Sequence, residues 1–173
     1  YDQKRRLAAI VDPSGRQLVL EYGPNGNPVA VTDPGGAVTR MTWDSDDNLV
    51  SVTDPRGAVT SLEYDARGNL VKVTDPRGDW TAHQYNAADE LVATWDRRGS
   101  RADYTRDGRG NLALASYRVP VSPGRFTSYT ERFTYDSYGN LVAYTDGRGA
   151  TSRLSYDPQG NYVTSMTSPA GHV

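Results

Sequence analysis

The sequence predicts an all-β protein, a ribbon of tandem antiparallel β-hairpins. Three observations predict it. A unit of 21 residues recurs along the chain, marked by Tyr-Asp at its start and Gly-Asn-Leu-Val soon after. Each unit holds two runs of β-branched and aromatic residues, the types that favour strands. Gly or Pro interrupts almost every ten-residue window, which argues against helix.

The repeats begin at Tyr1, Tyr22, Trp43, Tyr64, Tyr85, Arg106, Tyr135 and Tyr156. The first five and the seventh are 21 residues long. The sixth, 106–134, has 29 residues, an insertion of eight, and the eighth runs to Val173. Residues 1–173 therefore read as one array of eight repeats.

The clearest copy runs Tyr64, Asp65, Ala66, Arg67, Gly68, Asn69, Leu70, Val71, Lys72, Val73, Thr74, Asp75, Pro76, Arg77, Gly78. Its first strand is Leu70 to Thr74. Asp75, Pro76 and Gly78 then fit positions one, two and four of a type I turn. The second strand is read from the preceding repeat, Val59 to Tyr64. Alternation puts Thr60, Leu62 and Tyr64 on one face, and Val59, Ser61 and Glu63 on the other. The aromatic that opens a repeat thus closes a strand. Asp65 to Asn69 turns the chain again, with Gly68 in the left-handed conformation. One repeat buries too few apolar groups to offset the entropy of ordering its backbone, so neighbours must stack. Stacked hairpins leave sheet edges that proteins usually cap, and no cap is visible. A fragment of a longer protein is expected.

Composition narrows the function. The chain is polar, with 36% hydrophobic residues and a mean hydropathy of -0.68. Its net charge is -2 with both signs interspersed, which excludes the basic stripe of a nucleic-acid binder. There is no cysteine, so no disulfide framework and no thiolate metal site. No apolar run approaches the roughly 18 residues of a membrane span.

The unit Tyr-Asp-x-x-Gly-Asn-Leu-Val-x-Val-Thr-Asp-Pro-x-Gly resembles the YD repeat of Rhs proteins, found also in Tc insecticidal toxins and in teneurins. Tyr64, Asp65, Gly68, Asn69 and Leu70 carry the resemblance, as do Tyr135, Asp136, Gly139, Asn140 and Leu141. It implies a curved, spiralling sheet that forms part of a hollow β-shell. In bacterial members the shell encloses and delivers a toxic C-terminal domain of the same protein. In teneurins it belongs to an adhesion ectodomain, and the repeat is also described as carbohydrate-binding. The resemblance therefore implies a secreted or cell-surface protein. Its partner would be an enclosed toxin domain or, alternatively, a glycan or cell-surface ligand. The family's terminal core motif before self-cleavage is missing. The Asp-Pro-Arg-Gly copies at Asp54 and Asp75 sit inside ordinary repeats and read as turns.

The chain departs from the pattern in several places. Arg106 replaces the aromatic, Pro28 the strand leucine, and Arg97 and Gly147 the turn proline. The eighth repeat has one extra residue before Pro169, which suggests a β-bulge. The insertion, around Val119 to Tyr129, reads as a loop, either a binding loop or a plain surface one.

No enzyme is expected. Asp12, Asp33, Asp54, Asp75, Asp96 and Asp146 recur at one position, and a residue copied with the repeat reads as a turn cap rather than a catalytic acid. His83 and His172 are the only histidines and occupy different repeat positions, too few for a zinc site. No cofactor is implied. The recurring aromatics Tyr22, Trp43, Tyr64, Tyr85, Tyr135 and Tyr156 read as a packing spine whose polar tips reach partners. Trp80 and Trp95 lie off that ladder and are the candidate ligand contacts.

Overall fold

A computed structural model describes residues 1–172. Among the described residues there are fifteen β-strands and no helix. The first eight are β1 (Ala9–Val11), β2 (Gln17–Tyr22), β3 (Pro28–Thr32), β4 (Val38–Trp43), β5 (Leu49–Thr53), β6 (Val59–Tyr64), β7 (Leu70–Thr74) and β8 (Trp80–Tyr85). The rest are β9 (Leu91–Asp96), β10 (Arg101–Arg106), β11 (Leu112–Ser122), β12 (Arg125–Tyr135), β13 (Leu141–Thr145), β14 (Thr151–Tyr156) and β15 (Val163–Thr167). They follow in chain order in one antiparallel sheet. Two compact bodies are distinguished, Tyr1–Ala82 and His83–Val173.

In the first body the two faces differ. Leu20 pairs with Val31, Met41 with Val52, and Leu62 with Val73, and these side chains share one face. The opposite face is polar. There Thr42 and Ser51 hydroxyls meet at 2.6 Å, and Lys72 Nζ donates to Glu63 Oε1 at 2.8 Å. Such a split is usual for antiparallel sheets with one dry side. Burial is shallow. Among the described residues only five are buried, all alanines: Ala30 and Ala82 here, and Ala93, Ala102 and Ala115 in the second body. Hairpins laid side by side in one layer leave the larger side chains half-covered or exposed.

The strand ends are regular. The register slips by one residue beside the repeat aromatic, between Glu21 and Tyr22, Thr42 and Trp43, and Glu63 and Tyr64. The second body repeats the slip at Thr105–Arg106, Thr134–Tyr135 and Ser155–Tyr156. A bulge of this kind leaves one residue unpaired and sharpens the local twist.

The structure corrects two expectations. The insertion is not a loop. It lengthens β11 and β12 to eleven residues each, and they pair from Leu114–Arg132 out to Ser122–Arg125. Val119, Val121, Phe126, Thr127 and Tyr129 are strand-forming residues. Pro123 and Gly124 supply a two-residue turn, with Gly124 at φ 73°. The second correction concerns the eighth repeat. Its extra residue sits in the turn after Tyr156, where Asp157 N–H donates to Tyr162 C=O instead of to the fifth residue. The slip beside Tyr156 is the ordinary one found in its sister repeats.

Candidate functional site

The two turns of a repeat share one geometry. After the aromatic, Gly68 N–H donates to Asp65 C=O at 3.0 Å, and Asp65 N–H to Asn69 C=O at 2.9 Å. After the first strand, Gly78 N–H donates to Asp75 C=O at 3.0 Å, and Asp75 N–H to Asp79 C=O at 2.8 Å. Gly68 and Gly78 take φ of 83° and 80°, which a Cβ would disfavour. The aspartate braces each turn from within. Asp65 Oδ1 accepts from the Arg67 and Asn69 amides, and Asp75 Oδ1 from Arg77 and Asp79. Pro76 sits at the second turn position, but it is dispensable: Asp96–Ser100 and Asp146–Ala150 close the same way with Arg97 and Gly147 there.

The Gly-Asn of the motif has its own role. Asn69 Nδ2 donates to Asp65 Oδ2 at 3.1 Å, and Asn140 Nδ2 to Asp136 Oδ2 at 3.3 Å. Gly139 takes the left-handed φ of that copy. Variants keep the logic. Arg6 Nε takes the asparagine's place against Asp2 at 2.7 Å. In the fifth repeat the pair is inverted, and Asn86 Nδ2 donates to Glu90 Oε2 at 2.8 Å. These bonds hold the carboxyls of Asp65, Asp44 and Asp107 below the ordinary range. The first cause is the Asn69 amide for Asp65, and the side chains of Asn48 and Asn111 for the other two. For Asp136 burial pushes the other way, but the amides of Asn140 and Tyr138 prevail.

At four positions the aromatic ladder ties a repeat to the one before. Tyr64 Oη donates to Leu49 C=O at 3.0 Å, Tyr22 Oη to Leu7 C=O at 2.9 Å, and Tyr156 Oη to Leu141 C=O at 3.1 Å. Trp43 does so with its indole, Nε1 to Pro28 C=O at 2.7 Å. Each acceptor lies fifteen residues back. Leu49 and Pro28 are the residues at which the register slips, so the aromatic tip satisfies a carbonyl beside the break. Leu70 is the matching first strand residue of the fourth repeat, paired with Tyr64.

The tryptophans stand elsewhere. Trp80 pairs with Thr74 in the first body and is half-buried. Trp95 pairs with Arg101 in the second, is half-buried, and has the Arg101 guanidinium 5.5 Å from its ring centre. Arg101 is itself held by Asp103 at 2.6 Å.

A cluster that no motif announced occupies the sixth and seventh repeats. Tyr117 and Tyr129 stack with ring centres 4.8 Å apart. Glu131 accepts from Tyr144 Oη at 2.9 Å and from Tyr117 Oη at 3.3 Å. Both phenols are pushed above their ordinary value, Tyr117 first by burial and Tyr144 first by its bond to Glu131. The only hint in the sequence is the broken period. The concavities are shallow. One of about 480 Å³ lies between the turns of the sixth and seventh repeats, with Arg109 Nη1 donating across it to Ser137 C=O at 2.9 Å. No grouping of three or more metal-ligating side chains occurs among the described residues.

The RHS repeat family model matches residues 1–40, 43–79 and 135–173. The chain belongs to the RHS repeat family. The matched segments leave out 80–134, where the insertion lies. No curated protein sequence matches the chain. Among solved structures, this RHS array is similar to the crystal structure of TcdB2-TccC3-Cdc42, with 18% identity and a TM-score of 0.73. That match covers 91% of this chain and 9% of the other. The crystal structure of TcdB2-TccC3 gives 18% identity and a TM-score of 0.72, over 90% and 9%. A Tc holotoxin pore from Photorhabdus luminescens gives 17% and 0.53, over 86% and 10%. The RHS chain spans about a tenth of the length of these solved chains.

Proposed function

We propose that this RHS array is a wall segment of a β-shell that encloses a toxin domain of the same protein and helps deliver it. The segment is non-catalytic, and the protein acts outside the cell that makes it, secreted or at the surface. The observation that carries this reading is the single layer of copied hairpins. Its chemistry-bearing residues are spent on holding the wall: aspartates brace turns, and aromatic tips join neighbouring repeats. The likeness to Tc toxin chains supports the same role. In a wall one layer thick few side chains are fully buried, and here the buried ones among the described residues are alanines.

The test uses the complete parent protein. Limited proteolysis should leave its C-terminal region intact when the array is present. Deleting two whole repeats, residues 22–63, keeps the repeat phase but shortens the wall, and should expose that region to cleavage. Equal cleavage in both proteins would overturn the reading.

A further inference from the structure

The lengthened hairpin β11–β12 has two outer edges, and they are treated differently. On the β11 side, pairing with β10 ends at Arg118–Arg101. On the β12 side, pairing with β13 ends at Arg132–Thr145. Beyond these points both strands run on without a flanking strand.

The register fixes which backbone groups face outward. Asp146 N–H donates to Ala150 C=O, so Thr145, one residue earlier, points towards β12 and meets Arg132. Steps of two along β12 then turn Thr130, Ser128 and Phe126 the same way, away from β11. On the other strand, Asp96 N–H donates to Ser100 C=O, which sets Arg101 facing Arg118. Steps of two from Arg118 reach Pro120. A proline has no N–H, so the outward face of β11 is blunted at its first free position. Edge strands are commonly protected in this way. The β12 edge carries no such device. Phe126, Thr127, Ser128, Tyr129 and Thr130 include no proline or charge, and the first four are exposed.

We propose that this β12 edge, Phe126 to Thr130, is a strand-addition site for an extended, acidic polypeptide segment. Strand addition draws its affinity from main-chain hydrogen bonds and its selectivity from flanking side chains. The flanking charges are basic. Arg125 and Arg132 bracket the open stretch, Arg118 lies over the Phe126 ring at 3.6 Å, and Arg148 follows Gly147 against Tyr129. The nearby acids are engaged: Glu131 accepts from two tyrosine hydroxyls, and Asp146 accepts from two amides of its own turn. A segment that alternates acidic and β-branched residues matches this edge. A second copy of the chain would bring the same arginines to the line.

The probe is a fluorescein-labelled decapeptide of alternating glutamate and valine, with a lysine–valine peptide as control, titrated into the full chain. The acidic peptide should bind at least about tenfold more tightly than the basic one. Ser128→Pro should weaken it by about tenfold or more, since it removes an outward N–H and no β11–β12 bond. Amide hydrogen exchange on the unaltered chain gives an independent reading. Phe126, Ser128 and Thr130 should slow when the acidic peptide is added. No saturable binding, equal binding of both peptides, or no slowing of those three amides would overturn the proposal. So would slowing that depends on protein concentration alone and accompanies a dimer in light scattering, because a second copy would then be the occupant.

Discussion

The ring of Tyr129 fills the space that a side chain at Gly147 would need. A Cβ built on Gly147 would come within 2.5 Å of Tyr129 Cδ2. The lengthened strand β12 thereby dictates a turn residue in the next repeat. Proline stands at that position in several sister repeats and would collide here. Gly147→Pro should destabilise the chain by about 1–3 kcal/mol, as overpacking does. The penalty should largely vanish in a Tyr129→Ala background. Urea unfolding of the two single variants and the double variant measures the coupling, and strict additivity would refute the steric account.

Removing one ladder hydroxyl should cost about 1 kcal/mol, because it leaves a carbonyl without the donor that reached it. Tyr22→Phe, Tyr64→Phe and Tyr156→Phe should behave alike, since each loses a bond to a carbonyl fifteen residues back. Three neutral substitutions in thermal unfolding would reduce the ladder to ring packing alone.

The braced aspartates set a sign for pH dependence. Asp44, Asp65 and Asp107 are held below the ordinary range in the fold, so folding favours their ionised form. Their contribution is fully present above the unfolded value of about 3.9 and is lost as pH falls through the depressed folded values. The urea midpoint should therefore hold from neutral pH down to the aspartate range and drop below it. Asp65→Asn should flatten part of that drop. A midpoint that begins to fall well above that range would point to other groups.

Arg5 occupies the turn position that glycine holds in the Asp65 copy, at φ 62°. A left-handed conformation costs an ordinary L-residue about 1–2 kcal/mol. Arg5→Gly should strengthen the first turn by up to about 1 kcal/mol, less than the full relief because glycine also gains freedom in the unfolded chain. Slower amide exchange at Arg6 and at the substituted position is the expected signature. Faster exchange at Arg6 would contradict it.

The Glu131 cluster predicts two phenols that ionise above the usual tyrosine range. Ultraviolet titration should resolve them in the unaltered chain. Glu131→Gln should bring Tyr144 down most, since its bond to Glu131 is the leading cause, and Tyr117 less, since burial leads there. An unchanged titration curve would separate the cluster from Glu131.

Much of this fold is legible in the residues. The period, the strands, the left-handed Gly68 and the cap at Asp75 are local consequences of chemistry within a few residues, and local rules read them. The insertion escapes those rules because Pro120, Pro123 and Gly124 look like loop residues. Only pairing shows that Pro120 lies on an outward edge, where its missing N–H breaks no bond. The role of Gly147 is equally hidden. Its reason is a tyrosine eighteen residues earlier, and the period gives no sign of it.

Residue order alone is enough for a repeating all-β array, because turn and strand preferences act over a few residues and are copied with the repeat. What joins the copies, and where they differ, is set by the folded sheet. The bond from Tyr64 to Leu49, the bulges beside Tyr22, Trp43, Tyr64, Tyr135 and Tyr156, and the open edge of β12 all arise from strand pairing. Pairing brings together residues whose separation in the chain carries no local signal.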